Sequence, residues 1–165
     1  MREGPYGPEK HPTAEFMAYR EIEVIPPPVA AAIVERESEA HFAQDLAEVQ
    51  DGSVLWVATV NGAVAGVRHS RRGKQFRHWF VPIRENDMVI FRGRTYPEFR
   101  GQGISPSMHR HIMHSELAPE DRVYADCALY NKPSRRSLQK AGYHPIATMK
   151  PITREWALYD QTGPI

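Results

Sequence analysis

Apolar and polar positions change their spacing several times along the chain, and each change predicts a different element of secondary structure. Phe42, Leu46 and Val49 recur at intervals of three to four residues, which is the spacing of one helical face. The segment around them, residues 29–49, therefore reads as helical, with a break into two short helices near residues 37–38.

Strands are indicated where apolar runs are rich in β-branched and aromatic residues. Asn61 and Gly62 stand between two such runs, and both residue types tolerate the positive φ angles of a tight turn, so a hairpin is expected there. The predicted strands cover residues 17–25, 53–59, 63–70, 76–83, 87–95, 122–130, 144–149 and 153–159. Two further helices are predicted over residues 105–117 and 131–142.

This order of elements predicts a mixed α/β (α+β) fold. Hairpins alternate with strand–helix–strand units, so we expect a central mixed, mostly antiparallel sheet of about six to seven strands flanked by helices. Residues 1–15 are rich in Pro, Gly and charge and are expected to form a loose arm. Residues 16–165 are expected to form one domain.

Composition excludes several classes of protein. Hydrophobic residues make up 41% of the 165 and charged residues 25%, and the net charge is +1. These values are ordinary for a globular domain and give no global field for a nucleic acid. No apolar run is long enough to span a membrane, so no membrane partner is expected. The single cysteine, Cys127, excludes an internal disulfide and points to a reducing, cytoplasmic location.

One basic stretch, residues 68–78, holds five Lys or Arg residues and no acid. Such a run usually forms a solvated hairpin end. Contact with an anionic acceptor or a phosphate backbone is the alternative. Only Phe76 interleaves with the basic residues, so stacking on a single-stranded nucleic acid is not favoured.

The segment from Arg100 to Ser105 carries the clearest chemistry. It connects a predicted strand to a predicted helix, with Ser105 as the expected N-cap and Pro106 at the first helical position. Gly101 and Gly103 leave the backbone N–H groups uncovered at the positive end of the helix dipole, so the loop suits a phosphate or diphosphate. Neither a P-loop nor a dinucleotide fingerprint fits, because both need residues that are missing after Gly103.

The loop instead resembles motif A of the GNAT (Gcn5-related) N-acetyltransferase superfamily, Arg/Gln-x-x-Gly-x-Gly/Ala, with Ser in the last position. A second stretch, "NKPSRRSLQKAGY", resembles the second CoA segment of that family, with Asn131 and Ser134 at the matching positions. The resemblance implies the GNAT fold and an acyl-CoA co-substrate, most simply acetyl-CoA. The implied CoA-binding residues are Thr95, Arg100, Gly101, Gln102, Gly103, Ile104, Ser105, Asn131 and Ser134.

The resemblance also implies transfer of an acyl group to an amine by direct attack in a ternary complex. "DMVIF" resembles the strand that carries a glutamate base in histone-type members, so Asp87 is the candidate base; a strand-start turn residue is the alternative. Arg92 and Arg94 alternate onto one face of that strand and would favour an acidic or phosphorylated acceptor if that face borders the acceptor pocket. The acceptor is otherwise open between a small molecule and a protein amine.

Some features depart from the family or stay open. Leu138 occupies the position of the usual tyrosine acid, which leaves Tyr130 and Tyr143 as the nearby hydroxyls. The three histidines of the 105–117 helix do not form a metal site, because only His111 and His114 share a face. The sequence does not fix the acyl length or the oligomeric state, with a homodimer as one option. A catalytically weak acyl-CoA-binding sensor or assembly module is the alternative function.

Overall fold

The computed structural model describes residues 11–76, 79–152 and 155–161. In this part of the chain, four helices accompany a five-stranded sheet and a two-stranded sheet. The elements in chain order are β1 (Ala14–Tyr19), α1 (Pro27–Arg36), α2 (Glu39–Gln50), β2 (Val54–Val60), β3 (Ala63–Arg72), β4 (Met88–Thr95), α3 (Ile104–Glu116), β5 (Val123–Tyr124), α4 (Lys132–Lys140), β6 (Ala147–Ile152) and β7 (Glu155–Gln161).

The larger sheet has the strand order β1-β2-β3-β4-β5. Its first four strands pair antiparallel, and β4 pairs with β5 in parallel. β6 and β7 form a separate antiparallel hairpin. The mixed α/β fold class is thereby confirmed, with the seven described strands divided between two sheets.

Alternation along the central strands buries both faces of the larger sheet. Leu55 and Val57 of β2 lie in a core that α1 and α2 cover with Ile33 and Val49. The residues between them face the other way, where Trp56 packs in a core covered by α3. The sheet is therefore the middle layer of the fold, with helices packed on both of its faces. Side chains on either face of β4 accordingly meet a helix.

Two local predictions are confirmed. Asn61 and Gly62 have φ angles of 50° and 80°, as expected for the turn between β2 and β3. The helical stretch breaks at residues 37–38, where Ser38 caps α2 by accepting a hydrogen bond from the His41 N–H at 3.2 Å.

The predicted strand over residues 76–83 is wrong in its described part, since residues 79–83 carry no strand and residues 77–78 lie outside the described part. Its aromatic residues pack on one another instead. The ring centroid of Phe76 lies 5.3 Å from that of Trp79 and 6.0 Å from that of Phe91, and Trp79 lies 4.9 Å from Phe80. An aromatic cluster in a loop and an apolar strand look alike in sequence.

Two other boundaries moved. The strand predicted over 122–130 is reduced to the two residues of β5, and the first strand ends at Tyr19 and is followed by a short 3-10 helix. Of the proposed arm over residues 1–15, residues 1–10 lie outside the described part. Residues 14–15 belong to β1.

The start of the basic stretch is not solvated. Arg68, His69 and Ser70 are 8%, 0% and 1% exposed. Their alternation along β3 sends Arg68 towards α3 and His69 towards α2, where each meets polar partners. The reading of these residues as a solvated hairpin end is therefore wrong.

Candidate active site

The loop before α3 has the geometry of an anion cradle. Gly101 and Gly103 adopt φ angles of 78° and 81°, which disfavour any residue with a Cβ. Apart from the adjacent residues, no atom of the described chain lies closer than 3.8 Å to where either Cβ would stand. Among the described residues, the backbone N–H groups of residues 101–105 donate to no other residue. These donors stand at the N-terminus of a 13-residue helix, so the loop fits the diphosphate of CoA.

Ser105 does not cap the helix, contrary to the prediction from the sequence. The N-cap is Gly103, and Ser105 lies inside the first turn with its hydroxyl turned inwards. The Ser105 Oγ accepts hydrogen bonds from Arg68 at 2.9 Å and from the Ser137 hydroxyl at 2.8 Å. The loop is thus tied both to the sheet and to α4.

Side chains of the loop hold its shape. Arg100 Nε donates to the Thr95 carbonyl at 3.0 Å, and the Gln102 side chain donates to the Glu98 carbonyl at 3.0 Å. The Gln102 carbonyl accepts from His11 Nε2 at 2.8 Å. Ile104 is 2% exposed and anchors the first helical residue in the core. These contacts pre-form the cradle.

The second predicted segment opens α4. Asn131 is its N-cap and accepts a hydrogen bond from the Ser134 N–H at 3.2 Å. Asn131 thus acts as a helix N-cap, and its contact with CoA stays a prediction. Burial raises the pKa of the Cys127 thiol, and the Ser134 side chain acts in the opposite direction by a smaller amount.

The sheet splits beside the loop. β4 pairs with β5 only through Met88–Val123 and Val89–Tyr124. Beyond Val89, β4 has no further strand partner on this edge within the described residues. The β3–β4 register also shifts between Val67 and His69, which marks a bulge in β4. Arg92 in that bulge has a φ angle of 49°.

Asp87 lies at the closed end of this split and is 1% exposed. Its carboxylate accepts hydrogen bonds from the Arg84 N–H at 2.9 Å, the Arg84 guanidinium at 3.1 Å and the Arg122 N–H at 3.1 Å. Burial by itself raises the pKa of the Asp87 carboxyl, but these donors together lower it below its ordinary value. The carboxylate is a weak proton acceptor here, and its contacts fasten the loop before β4 to the start of β5.

Arg92 and Arg94 both reach the face of the sheet that meets α2, as predicted, although the bulge at Arg92 interrupts the regular alternation of β4. The fully buried Asp45 carboxylate pairs with both guanidinium groups, Arg92 at 3.4 Å. Arg94 also pairs with Glu37 at 2.8 Å. Two carboxylates therefore already face the two arginines.

Asp126 and Arg68 were missed as site residues in the sequence. Asp126 follows β5 in the segment that diverges from β4, and it is exposed. Partial desolvation by the surrounding protein raises the pKa of its carboxyl. Nothing in "YADCALY" distinguishes this acid from any other strand-end acid. Arg68 begins the basic stretch of residues 68–78, and nothing in the sequence sets it apart from the other arginines there.

The position of the usual tyrosine acid holds Leu138, on α4. Tyr130 is 88% exposed at the end of the segment after β5. Tyr143 packs against the α3 core, and its hydroxyl lies 3.0 Å from His109 Nδ1. In this structure Tyr143 therefore contributes to packing and to a hydrogen bond within the fold.

No group of three His, Cys, Asp or Glu side chains in the described part of the chain is arranged to hold a metal ion. None of its helices has the length and apolar character needed to cross a bilayer.

The model of the acetyltransferase (GNAT) family matches residues 16–143. The chain therefore belongs to this family and is a GNAT-type N-acetyltransferase with acetyl-CoA as co-substrate. No curated protein matches its sequence.

Solved structures share the fold at low sequence identity. The aminoglycoside 6'-N-acetyltransferase AAC(6')-Ih from Acinetobacter baumannii has a TM-score of 0.61 and 13% identity, over 86% of this chain and 98% of that one. AAC(6')-Ib in complex with paromomycin and acetyl-CoA has a TM-score of 0.62 and 16% identity, over 89% and 91%. A GNAT-family acetyltransferase from Streptococcus agalactiae has a TM-score of 0.59 and 14% identity, over 91% and 96%.

Proposed function

We propose that this acetyltransferase moves the acetyl group of acetyl-CoA directly to an amine of a small-molecule acceptor, at the split between β4 and the segment after β5. The observation that carries the proposal is the cradle at residues 101–105, whose backbone N–H groups have no acceptor in the described chain. The cradle lies beside the edge of β4, which has no strand partner on that side after Val89. Acetyl-CoA supplies an activated thioester. The chain must hold it, accept a proton from the amine and stabilise an oxyanion.

The outer edge of β4 is suited to the oxyanion. Its backbone N–H groups beyond Val89 face no neighbouring strand in the described sheet. The bulge at Arg92 re-aims the backbone at mid-strand. A rigid N–H donor that is fixed before the reaction stabilises a developing negative charge without reorganisation.

The amine must lose a proton before it attacks, because a lysine-like amine has a reference pKa of about 10.4. Asp87 and Asp126 are both carboxylates beside the split, and their environments shift their pKa values in opposite directions. A better base has the higher pKa, so Asp126 is favoured over Asp87, the candidate from the sequence. Asp126 would act directly or through one water.

Direct transfer is favoured over an acyl-cysteine intermediate. Burial raises the pKa of the Cys127 thiol above its ordinary value, and nearby Asp126 raises it further. A thiol nucleophile needs the opposite environment. The hydrogen bond to Ser134 and the charge of Arg135 lower the pKa by less.

The acceptor that we propose is a small polyamine-like or amino-sugar molecule rather than an anion. Asp45 and Glu37 already pair with Arg92 and Arg94, so these arginines offer no uncommitted charge to an acidic acceptor. Structures of similar fold are named as aminoglycoside acetyltransferases, which supports a small-molecule amine.

The test is release of free CoA thiol from acetyl-CoA with a panel of amines: an aminoglycoside, a polyamine, an amino acid, a phosphorylated amino sugar and a lysine peptide. We expect turnover with an unphosphorylated small amine, confirmed by the mass of the acetylated product. Binding of CoA without turnover on any panel member would favour the sensor function. Turnover confined to the phosphorylated amine would overturn the acceptor assignment.

A further inference from the structure

Within the part of the chain that the structure describes, Arg68 is a buried cation without a counter-charge. It lies on β3, is 8% exposed and reaches across to α3. Its guanidinium donates to His109 Nε2 and, at 2.9 Å, to Ser105 Oγ. No carboxylate of the described residues pairs with it, and its Nε has no hydrogen-bond partner. Burying a charge without an opposite charge is costly, so the fold alone gives no reason to keep it.

The partners of Arg68 do not neutralise it. Burial, and then the charge of Arg68, hold the pKa of His109 well below its ordinary value, so the ring is uncharged at neutral pH. Because an arginine can only donate, His109 Nε2 accepts and Nδ1 carries the hydrogen, which faces the Tyr143 hydroxyl at 3.0 Å. Burial lowers the pKa of Arg68 to about 10, so it still carries its proton near pH 7.

The position of this charge is specific. Ser105 belongs to the first turn of α3, where the helix dipole is already positive. The guanidinium and the positive end of the helix repel each other, and an anion bound between them would offset this repulsion. Gly93 lies directly over the guanidinium, where any Cβ would clash with it. The absence of a side chain at Gly93 therefore provides the space that the Arg68 guanidinium occupies.

Ser105 links the charge to the cradle. A hydroxyl has two acceptor lone pairs and one proton. Its Oγ already accepts from Arg68 and from Ser137. The Ser105 proton is therefore left for a third partner, on the same turn whose N–H groups have no acceptor in the described chain.

We propose that Arg68 is a positioning residue for the diphosphate of the acyl-CoA: it fixes Ser105 as a hydroxyl donor and supplies the positive charge that the bound anion compensates. This inference rests on the proposed function of the loop. According to this inference, Arg68 promotes binding of the diphosphate and not of the pantetheine or the acetyl group.

The experiment measures binding to Arg68→Met and Ser105→Ala by calorimetry, with CoA, ADP and pantetheine as separate probes. Charge-assisted hydrogen bonds are strong, so we expect Arg68→Met to bind CoA and ADP about tenfold or more weakly. Pantetheine, which has no diphosphate, should bind as it does to the wild type. Ser105→Ala should weaken CoA and ADP in the same direction by a smaller factor.

Arg110→Met is the matched control. Arg110 is also on α3 and donates to the Lys140 carbonyl at 2.7 Å, and its replacement removes the same formal charge. It should bind CoA within about twofold of the wild type, because the Arg110 guanidinium is hydrogen-bonded to the end of α4 and to Ser107 and, among the described residues, makes no hydrogen bond to Ser105 or the cradle.

Wild-type affinity for CoA in Arg68→Met overturns the inference, as does an equal loss for pantetheine. If Arg68→Met does not fold, Ser105→Ala decides: unchanged CoA affinity in that variant also overturns it. A wild-type protein that binds no CoA refutes the proposed function instead. The two failures are therefore distinguishable.

Discussion

The carboxylate of Asp45 lies 3.1 Å from Nε2 of His69, and both side chains are fully buried between α2 and the sheet. Since a carboxylate can only accept, Nε2 carries the hydrogen. The other ring nitrogen lies 2.9 Å from the Ser53 hydroxyl. The same carboxylate pairs with two arginines of β4, so one acid couples helix, sheet and the strand that borders the split.

Replacing Asp45 with Asn should cost about 3–5 kcal/mol, because the buried network loses its central negative charge. Arg92 then has no carboxylate partner among the described residues, and Arg94 keeps only Glu37. Although burial raises the pKa of Asp45, hydrogen bonds from His69 and Arg94 and their charges lower it overall. A lowered carboxyl pKa stabilises the fold above the unfolded pKa of about 3.9, and this stability is lost as the pH falls through the folded value. Urea unfolding at pH 7 and pH 3 should show a large loss at pH 7 and a smaller one at pH 3.

Asp51→Asn serves as the control for that measurement. Asp51 is exposed at the end of α2, so its replacement should change the free energy of unfolding by about 0.5 kcal/mol or less. A similar loss in both variants would mean that the buried network contributes nothing specific.

Gly103→Val should abolish CoA binding, and Gly62→Val should not. Both glycines have φ angles near 80° and no close neighbour at the Cβ position, so both variants carry a comparable backbone strain of about 1–2 kcal/mol. Only Gly103 belongs to the cradle. Calorimetry with CoA separates the two, and equal CoA affinities in the two variants would contradict the placement of the diphosphate.

The two candidate bases should separate in their pH–rate profiles. Asp126→Asn should lower the rate at neutral pH and recover part of it at high pH, where the free amine is more abundant. It should not destabilise the protein at pH 7, because a raised carboxyl pKa disfavours the charged folded state above the unfolded pKa.

Asp87→Asn should affect stability rather than the pH dependence of the rate. It removes an acceptor of several N–H groups and should lower the melting temperature, while the folded fraction keeps the pH profile of the parent. A changed profile in Asp87→Asn, with Asp126→Asn unaffected, would restore Asp87 as the base.

Neither Tyr130→Phe nor Tyr143→Phe should lower turnover by the factor of about a hundred expected for a lost general acid. A thiol has a reference pKa of about 8.5, so the CoA thiolate can leave unaided at pH 7 to 8. Steady-state rates at saturating acetyl-CoA test this. A hundredfold loss in one variant with unchanged CoA affinity would identify that tyrosine as the acid.

Local patterns predicted the fold well where one residue type decides the backbone. The turn at Asn61-Gly62, the break at residues 37–38 and the glycine loop before α3 all follow from φ preferences and capping. The strand over 76–83 failed because its aromatic residues pack across a loop, a contact that spacing does not encode.

The partners of the buried charged residues could not be predicted from local sequence patterns. Arg68 and Arg71 look alike in "RHSRR", but one meets neutral partners on α3 and the other pairs with Glu48 on α2 at 2.6 Å. Their difference depends on what covers each face of β3. Asp87 shows the same limit, since its donors come from the preceding loop and from residue 122.

The short β4–β5 pairing also bears on solubility. A strand edge without a neighbour is a template for another chain, and proteins commonly protect such edges with bulges and charges. β4 has both, in the bulge at Arg92 and the paired cations of Arg92 and Arg94. The edge that we propose for the thioester is therefore also protected from pairing with a strand of a second molecule.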